Sequence, residues 1–264
     1  MKKYIPVLDR FLLRGKTAVV TGGCGNLGPW FVQALLDVKA HVAIIDLPKR
    51  TIPSTLTLHS SSLLFYKGNI TNPRQLKTIH KKILNELGPI DILVNNAGID
   101  IPPQKIGIYM ENRPHAKKMW DVNVSGAVNC INEFIADMKK KKKGSIINIG
   151  SLYGERSPNE RFYTHLQFDK PWDYGATKAA LMQVTRYFAT RLAKWNIRIN
   201  TLSPGGVFNN QDKTFIQKYS SRIPLSRMAQ KETDLGGPLV FLASDASAYV
   251  TGTNLQVNGG FTAW

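Results

Sequence analysis

Two residues of the chain, Tyr174 and Lys178, place a phenol and an ammonium group four positions apart in a segment with the pattern of a helix. Because residues four apart lie on one face of a helix, we expect the two side chains to be neighbours. An ammonium group near a phenol favours the phenolate and lowers the pKa of the phenol from its free value of about 10. The pair therefore predicts that Tyr174 acts as a general acid or base. The same spacing also arises by chance on many helices.

A third residue, Ser151, directly follows a predicted strand over residues 145–150. Ligands of parallel sheets bind at the carboxyl edge of the strands, which is where Ser151 would lie. Its hydroxyl group would then hold a substrate oxygen that gains or loses negative charge. Ser151 and Tyr174 are 23 residues apart, so the segment between them, 154–172, must lie near the same substrate side.

A glycine-rich loop over residues 21–28, Thr-Gly-Gly-Cys-Gly-Asn-Leu-Gly, joins a predicted strand to a predicted helix. Glycines at such a turn let a pyrophosphate approach backbone N–H groups at the helix N-terminus. Asp46 follows Gly28 by 18 residues, at the end of the second predicted strand. A carboxylate there accepts hydrogen bonds from both ribose hydroxyls and repels a 2′-phosphate. The loop therefore predicts a dinucleotide site that prefers NAD to NADP, although Lys49 and Arg50 are cations close to Asp46.

The elements that position these residues alternate between short apolar runs and segments with a helical period. This alternation predicts an α/β fold: a Rossmann-like, doubly wound parallel sheet of about seven strands flanked by helices. The predicted strands are 17–21, 41–46, 63–67, 91–95, 145–150, 198–202 and 254–257. We expect one domain over 1–264, with a substrate-side insertion at 154–172 and a lid at 208–222. Long helices are expected around 113–138 and 172–195.

Composition excludes several other classes of protein. Of the 264 residues, 43% are hydrophobic and 20% are charged, which is typical of a soluble globular chain. No apolar run approaches the roughly 18 residues of a membrane span. The two cysteines, Cys24 and Cys130, are typical of a reducing cytoplasm. The net charge of +17 would attract anionic small molecules; charge alone also allows nucleic-acid binding, but the chain has no nucleic-acid motif and no zinc-ligand spacing.

Taken together, these residues resemble the short-chain dehydrogenase/reductase family over essentially the whole chain. The matching motifs, in order, are the glycine loop, Asn95-Asn96-Ala97-Gly98, Asn123 within Asp-Val-Asn-Val-Ser-Gly, Ser151, Tyr174 with Lys178, Pro204-Gly205, Thr251-Gly252 and Val257-Asn258-Gly259-Gly260. Many independent motifs in the same order make this resemblance specific.

The resemblance implies a role for each matching position. The implied catalytic residues are Asn123, Ser151, Tyr174 and Lys178, with Asn123 holding a water in a proton relay and Lys178 binding the nicotinamide ribose. The implied cofactor contacts are Gly22, Asn26, Leu27, Gly28, Asp46, Leu47, Asn69, Ile70, Asn95, Ala97, Gly98, Tyr174, Lys178, Pro204, Gly205 and Val207. The implied substrate contacts are Ser151, Tyr153 and Tyr174, and no metal is expected. The family also implies a homotetramer or homodimer built on the two long helices.

Two positions depart from the family pattern. Asn26 stands where the family usually has glycine, and we expect asparagine to tolerate a left-handed backbone there. Asn69 stands where the family commonly has aspartate, and its amide can still bond to adenine.

The 154–172 segment makes the Ser151–Tyr174 interval about ten residues longer than is usual in the family. With its Ser-Leu-Tyr-Gly start, it resembles members of flagellin-modification and surface-polysaccharide sugar pathways. We therefore predict an NAD(H)-dependent oxidoreductase that interconverts a secondary alcohol and a ketone on a sugar or sugar derivative, a substrate that can be anionic. The alternative is a 3-oxoacyl-thioester reductase, which would favour NADP and a shorter, more apolar entrance. A catalytically silent nucleotide-binding regulator is a third reading, but such members usually lack the tyrosine or the lysine.

Overall fold

Strands with mostly buried side chains build the centre of the molecule. The computed structural model describes residues 4–59, 62–100, 116–166 and 170–264, and within them seven strands form one sheet. The strands are β1 Thr17–Thr21, β2 His41–Asp46, β3 Leu63–Lys67, β4 Ile90–Asn95, β5 Gly144–Ile149, β6 Ile197–Pro204 and β7 Asn254–Val257. Their spatial order is β3-β2-β1-β4-β5-β6-β7, and all neighbours are parallel. The predicted doubly wound α/β sheet is confirmed.

Helices cover both faces of this sheet. They are α1 Gly28–Asp37, α2 Pro73–Glu86, α3 Ala116–Trp120, α4 Ala127–Lys141, α5 Trp172–Leu192, α6 Lys213–Ser220 and α7 Gly236–Ala243. Apolar residues of α1 and α7 pack into one core on one face. Apolar residues of α2, α4 and α5 pack into a second core on the other. Within the described ranges, no helix combines the length and the apolar character that a membrane span requires.

The long helix expected over 113–138 is interrupted by a π-helical segment, Asp121–Gly126, between α3 and α4. The first residues of the expected helix, 113–115, lie outside the described part of the chain. A Cβ atom on Gly126 would lie 2.6 Å from Ile70 Cδ1, so the helix closely approaches the loop between β3 and α2 at this point. The expectation of one continuous α-helix around 113–138 is therefore wrong here. Wide turns of this kind are frequent at functional sites, and this one carries Asn123.

His80 on α2 lies between two carboxylates of α4. Its Nδ1 atom is 2.9 Å from Glu133 Oε1, and its Nε2 atom is 3.0 Å from Asp137 Oδ2. Burial by itself would lower the pKa of His80, but the hydrogen bonds to Asp137 and Glu133 outweigh it and raise the pKa above the ordinary 6.5. A raised pKa in the folded state stabilises the fold below the unfolded pKa, and this contribution is lost as the pH rises through the folded value.

We expect His80→Gln to lower the free energy of unfolding by about 1–2 kcal/mol at pH 6, because glutamine keeps only a neutral contact between α2 and α4. At pH 9 the loss should be clearly smaller, since the wild-type imidazole is then neutral too. Urea unfolding of both proteins at the two pH values measures the difference. An equal loss at pH 6 and pH 9 would show that the charge on His80 contributes nothing.

Candidate active site

A cavity of about 730 Å³ lies at the carboxyl ends of the strands, where doubly wound sheets bind their ligands. It brings together most of the residues that the sequence singles out. Those on its wall are Gly22, Asn26, Leu27, Asp46, Leu47, Asn69, Ile70, Ala97, Gly98, Ser151, Tyr153, Tyr174, Lys178, Pro204, Gly205 and Val207. Three of the predicted residues, Gly28, Asn95 and Asn123, lie behind this wall.

The glycine loop packs closely against its surroundings. Gly22 has a left-handed φ of 64°, and a Cβ atom on it would lie 2.8 Å from the Cα atom of Ala97. A Cβ atom on Gly28 would lie 2.3 Å from the Gly22 carbonyl oxygen. Only glycine fits at either position, so the loop lies directly on the start of α1. The first turn of α1 has no acidic residue, which suits the binding of a pyrophosphate at its N-terminus.

Asn26 does not use the conformation that the sequence suggested. The described non-glycine residues with positive φ are Lys39, Lys142, Asn196, Asn210 and Ser226. Asn26 is therefore accommodated in an ordinary backbone region, and the appeal to its tolerance of left-handed conformations is wrong. Its exposed side chain instead accepts a 3.4 Å hydrogen bond from Lys231 Nζ.

The Asp46 carboxylate is held in place at the end of β2. One oxygen accepts the backbone N–H of Cys24 at 2.9 Å, and the other accepts the N–H of Leu47 at 2.8 Å. The side chain is buried at the cavity wall and retains lone pairs for ribose hydroxyls. Lys49 and Arg50 also line the cavity, so cations lie close to the same end of it.

Of the neighbours Asn95 and Asn96, the sequence predicted that Asn95 contacts the cofactor, but it is Asn96 that lines the cavity. Asn95 is buried, and its Nδ2 atom donates to Asn148 Oδ1 at 2.9 Å, which ties β4 to β5. Asn96 lines the cavity and donates to the carbonyl oxygens of Thr21 and Gly22 at 3.0 and 2.9 Å. Asn95 therefore stabilises the strands behind the cavity wall. Asn96, which the site prediction omitted, stabilises the conformation of the glycine loop.

Ser151 and Lys178 flank Tyr174 at the end of β5. The Ser151 hydroxyl is hydrogen-bonded with the Tyr174 phenol, and it also accepts the backbone N–H of Tyr153 at 3.2 Å. Lys178 is buried, and its Nζ atom donates to the Ile149 carbonyl oxygen at 2.7 Å. That Nζ atom lies 5.8 Å from the centre of the Tyr174 ring. The three predicted side chains thus form one cluster facing the cavity.

Asn123 lies behind this cluster in the π-helical segment. Its Oδ1 atom accepts the N–H of Ile99 at 2.8 Å, and its Nδ2 atom donates to the Ile99 carbonyl oxygen at 3.0 Å and to Thr177 Oγ1 at 3.1 Å. A Cβ atom on Gly98 would lie 3.4 Å from Asn123 Oδ1 and 3.6 Å from Lys178 Nζ. Asn123 therefore fastens the loop after β4 to α5, and its role in a water relay stays a prediction.

The acid–base state of the cluster differs from the expectation. Burial raises the pKa of the Tyr174 phenol, the Asp100 carboxylate raises it further, and the hydrogen bond with Ser151 opposes them. Burial also lowers the pKa of Lys178 to about 8, against the opposing effect of Asp100. The predicted lowering of the Tyr174 pKa by Lys178 is therefore not found, because both groups are buried and Lys178 Nζ binds the Ile149 carbonyl. Tyr174 is protonated at neutral pH, which is the form that donates a proton.

Aromatic residues of two distant segments close the substrate side. Tyr153 and Tyr163 join their hydroxyl groups at 3.0 Å, and Phe215 and Tyr219 of α6 pack against them in one cluster. Further contacts join the 154–172 insertion to the segment at 208–222. One of them is the hydrogen bond between His165 Nε2 and Asp212 Oδ1, with a length of 2.7 Å. Residues 167–169 of the insertion lie outside the described chain.

The site prediction from sequence missed several residues of this side of the cavity. They are Asp100, Tyr163, Lys170, Gln211, Phe215, Tyr219 and Met228. The one usable signal was the concentration of aromatic residues in the two long irregular segments.

Comparison with known proteins decides the family. A family model described as "Enoyl-(Acyl carrier protein) reductase" matches residues 26–262. The sorbose reductase of Candida albicans is 32% identical over 97% of this chain and 90% of its own length. The chain belongs to the short-chain dehydrogenase/reductase family. A 3-oxoacyl-[acyl-carrier-protein] reductase of Thermotoga maritima is 30% identical to this short-chain dehydrogenase/reductase, over 94% of the chain and 98% of its own length.

Solved structures of the family superpose along nearly the whole short-chain dehydrogenase/reductase chain. A short-chain dehydrogenase from Leptospira borgpetersenii with bound NAD+ has a TM-score of 0.85 and 32% identity, covering 99% of this chain and 98% of its own. A gluconate 5-dehydrogenase from Burkholderia cenocepacia in complex with NADP and tartrate has a TM-score of 0.87 and 26% identity, covering 98% and 100%. This chain is therefore an oxidoreductase of the family, and the NAD and NADP bound by these neighbours support a nicotinamide cofactor.

Proposed function

We propose that this short-chain dehydrogenase/reductase interconverts a secondary alcohol and a ketone on a sugar or sugar derivative, with NAD(H) as the cofactor. The lining of the substrate side is the observation that carries the proposal. Its residues include Tyr153, Tyr163 and Gln211, which carry hydrogen-bonding groups, and the aromatic Phe215 and Tyr219. A sugar offers both hydroxyl groups and apolar C–H faces to such a wall. An acyl chain would be served better by a largely apolar entrance.

When bound, a nicotinamide cofactor would supply the hydride chemistry, giving a hydride to a carbonyl carbon or accepting one from an alcohol carbon. Tyr174 gives its phenol proton to the substrate oxygen in the reduction and takes a proton back in the oxidation. Ser151, which is hydrogen-bonded with Tyr174, holds the same substrate oxygen. Lys178, which lies on the cavity wall, would bind the nicotinamide ribose. The buried surroundings of these groups exclude water and strengthen each of these interactions.

The residues at the other end of the cavity fit a dinucleotide. The glycine cradle has no room for a Cβ atom at Gly22 or Gly28, and it lies at the N-terminus of α1. Asp46 offers a fixed carboxylate at the position where the adenosine ribose of a dinucleotide binds in this fold. These residues would hold the pyrophosphate and the ribose.

We expect NADH to bind at least tenfold more tightly than NADPH, because a 2′-phosphate would be repelled by the Asp46 carboxylate. Asp46→Asn should weaken NADH binding and bring the two affinities closer together. Fluorescence titration of both cofactors measures this difference. Asp121→Asn is a matched control, since Asp121 also lines the cavity but pairs with the exposed Lys117. Equal or tighter binding of NADPH by the wild-type protein would overturn the assignment, with Lys49 and Arg50 as the cause.

The substrate class is tested by the oxidation of NADH in the presence of a panel of ketones. We expect turnover with keto sugars, keto-sugar acids or sugar phosphates, and little with 3-oxoacyl thioesters. The reverse preference would favour the alternative function, an acyl-thioester reductase. The similarity to the 3-oxoacyl-[acyl-carrier-protein] reductase of Thermotoga maritima is the observation that supports this alternative. Cofactor binding without turnover of any substrate would favour a silent nucleotide-binding regulator, although both Tyr174 and Lys178 are present.

Two broader expectations complete the proposal. We propose assembly into a homotetramer or homodimer, for which two exposed aromatic side chains, Trp120 at the end of α3 and Tyr187 on α5, provide apolar surface. We also propose a cytoplasmic location without binding to nucleic acid or membrane, in keeping with Cys24 and Cys130, which form no disulfide bond.

A further inference from the structure

An ion pair outside the predicted catalytic residues lies on the substrate side of the cavity. Lys170, near the end of the 154–172 insertion, pairs with Asp100, which follows β4 and is 70 positions away in the sequence. Both residues line the cavity, and the side-chain exposures are 19% for Lys170 and 32% for Asp100. Partial burial makes the charges of this pair effective at short range, because little water screens them.

This pair lies directly against the catalytic tyrosine. Lys170 Nζ is 4.8 Å from the centre of the Tyr174 ring, whereas Lys178 Nζ is 5.8 Å away. The same Lys170 atom is 6.0 Å from the centre of the Tyr153 ring. The cation closest to the Tyr174 ring among these contacts therefore comes from the insertion and not from α5.

We propose that Asp100 and Lys170 are positioning residues whose opposite charges govern how readily Tyr174 releases and regains its proton. The proposal rests on the acid–base role of Tyr174 in the proposed function. Asp100 disfavours the phenolate by repulsion, and Lys170 favours it by attraction. The proton affinity of Tyr174 thus depends on Asp100 and Lys170, neither of which belongs to the family motifs.

The other groups that face Tyr174 within the described ranges do not duplicate this control. Ser151 donates or accepts a hydrogen bond and carries no charge. Tyr153 is a neutral phenol that bonds with Tyr163. Lys178 is the remaining cation, and its Nζ atom is directed to the Ile149 carbonyl oxygen. Asp100 is the carboxylate that acts on both Tyr174 and Lys178, raising the pKa of each.

A purely structural pair would only hold the insertion against the loop after β4. Removing either partner would then have the same kind of effect: a lower stability or a lower turnover, with no directed change in the pH profile. Electrostatic control predicts changes of opposite sign. Loss of the Asp100 charge favours the phenolate, and loss of the Lys170 charge disfavours it.

The test compares Asp100→Asn, Lys170→Met and the double variant with the wild type, all saturated with NAD+. The readout is the phenolate absorbance of Tyr174, obtained by subtracting the same protein with Tyr174→Phe, as a function of pH. We expect the Tyr174 transition to move down by about one pH unit in Asp100→Asn and up by about one unit in Lys170→Met. The double variant should return toward the wild type. Where a substrate is turned over, the rising limb of alcohol oxidation should move in the same directions.

A second ion pair supplies the matched control. Lys143 Nζ and Asp245 Oδ2 are 2.7 Å apart. Lys143 directly precedes β5, so it lies at the amino ends of the strands, whereas the Tyr174 cluster lies at their carboxyl ends. Lys143→Met and Asp245→Asn make the same changes of net charge and should leave the Tyr174 transition in place. Shifts in one direction for both Asp100→Asn and Lys170→Met, shifts equal to those of the controls, or an unmoved Tyr174 transition in Asp100→Asn would overturn the proposal. The absorbance needs no substrate, so a failure of the proposed sugar chemistry is seen separately in the substrate panel.

Discussion

Tyr174→Phe is expected to lower turnover by roughly a hundredfold or more, the usual scale of a general acid–base contribution. The substitution removes one hydroxyl group and leaves the ring, which packs at the end of β5 beside Ser151. Burial raises the pKa of the Tyr174 phenol, so at neutral pH the wild-type enzyme holds the proton that a ketone needs. NADH affinity should stay nearly unchanged, because in the proposed mechanism the hydroxyl group bonds to the substrate oxygen.

Steady-state kinetics beside direct NADH titration separates these two effects. Tyr153→Phe is the matched control, since it also removes one cavity hydroxyl, the one that bonds to Tyr163 at 3.0 Å. We expect it to change KM more than turnover. Near-wild-type turnover in Tyr174→Phe would refute the assignment of the proton donor.

Lys178→Ala is expected to be more damaging, with turnover lower by about a thousandfold and NADH affinity lower by about tenfold. The side chain is buried, lines the cavity and donates to the Ile149 carbonyl oxygen at 2.7 Å. Its removal would delete the proposed cofactor contact and a positive charge near Tyr174. Because the pKa of Lys178 is lowered to about 8, its charge is lost as the pH rises through that value. NADH binding to the wild type should therefore weaken above pH 8, and the variant should lack this dependence.

The measurement is NADH titration from pH 6 to pH 10 with kinetics at each point. Lys178→Met keeps most of the side-chain volume, so the same losses in Lys178→Met would show that charge and hydrogen bonding are responsible rather than a cavity. Lys213→Ala, at the exposed start of α6, controls for the loss of one lysine. Unchanged NADH affinity in both Lys178 variants would contradict the cofactor contact.

The sheet was accessible from the sequence because its strands are buried on both faces. Such strands read as short runs of Ile, Val and Leu between glycines and polar turns, and the central strands β1, β4 and β5 are buried at every position. Their order in the chain then places Ser151, Tyr174 and Asp46 at the carboxyl edge. The pattern and order of the strands therefore predict which residues lie close together, but they do not predict which contacts each side chain makes.

What the sequence did not predict depends on packing between distant segments. The close approach of Gly126 to Ile70 accompanies a π-helical turn that no local pattern indicated. The buried amide of Asn95 is used to join two strands. The pKa of Tyr174 reflects burial and Asp100 more than its neighbour Lys178 in the sequence motif.

The central claim, hydride transfer to a sugar ketone with a proton from Tyr174, is tested most directly by following the hydrogen itself. NADH carrying deuterium at the reactive position of the nicotinamide ring is incubated with the best ketone of the panel, and the product is examined by mass spectrometry. We expect one deuterium on the new carbinol carbon with the wild type, formed roughly a hundredfold or more slowly by Tyr174→Phe. A reduced product without deuterium, or equal rates of transfer in the two proteins, would contradict it.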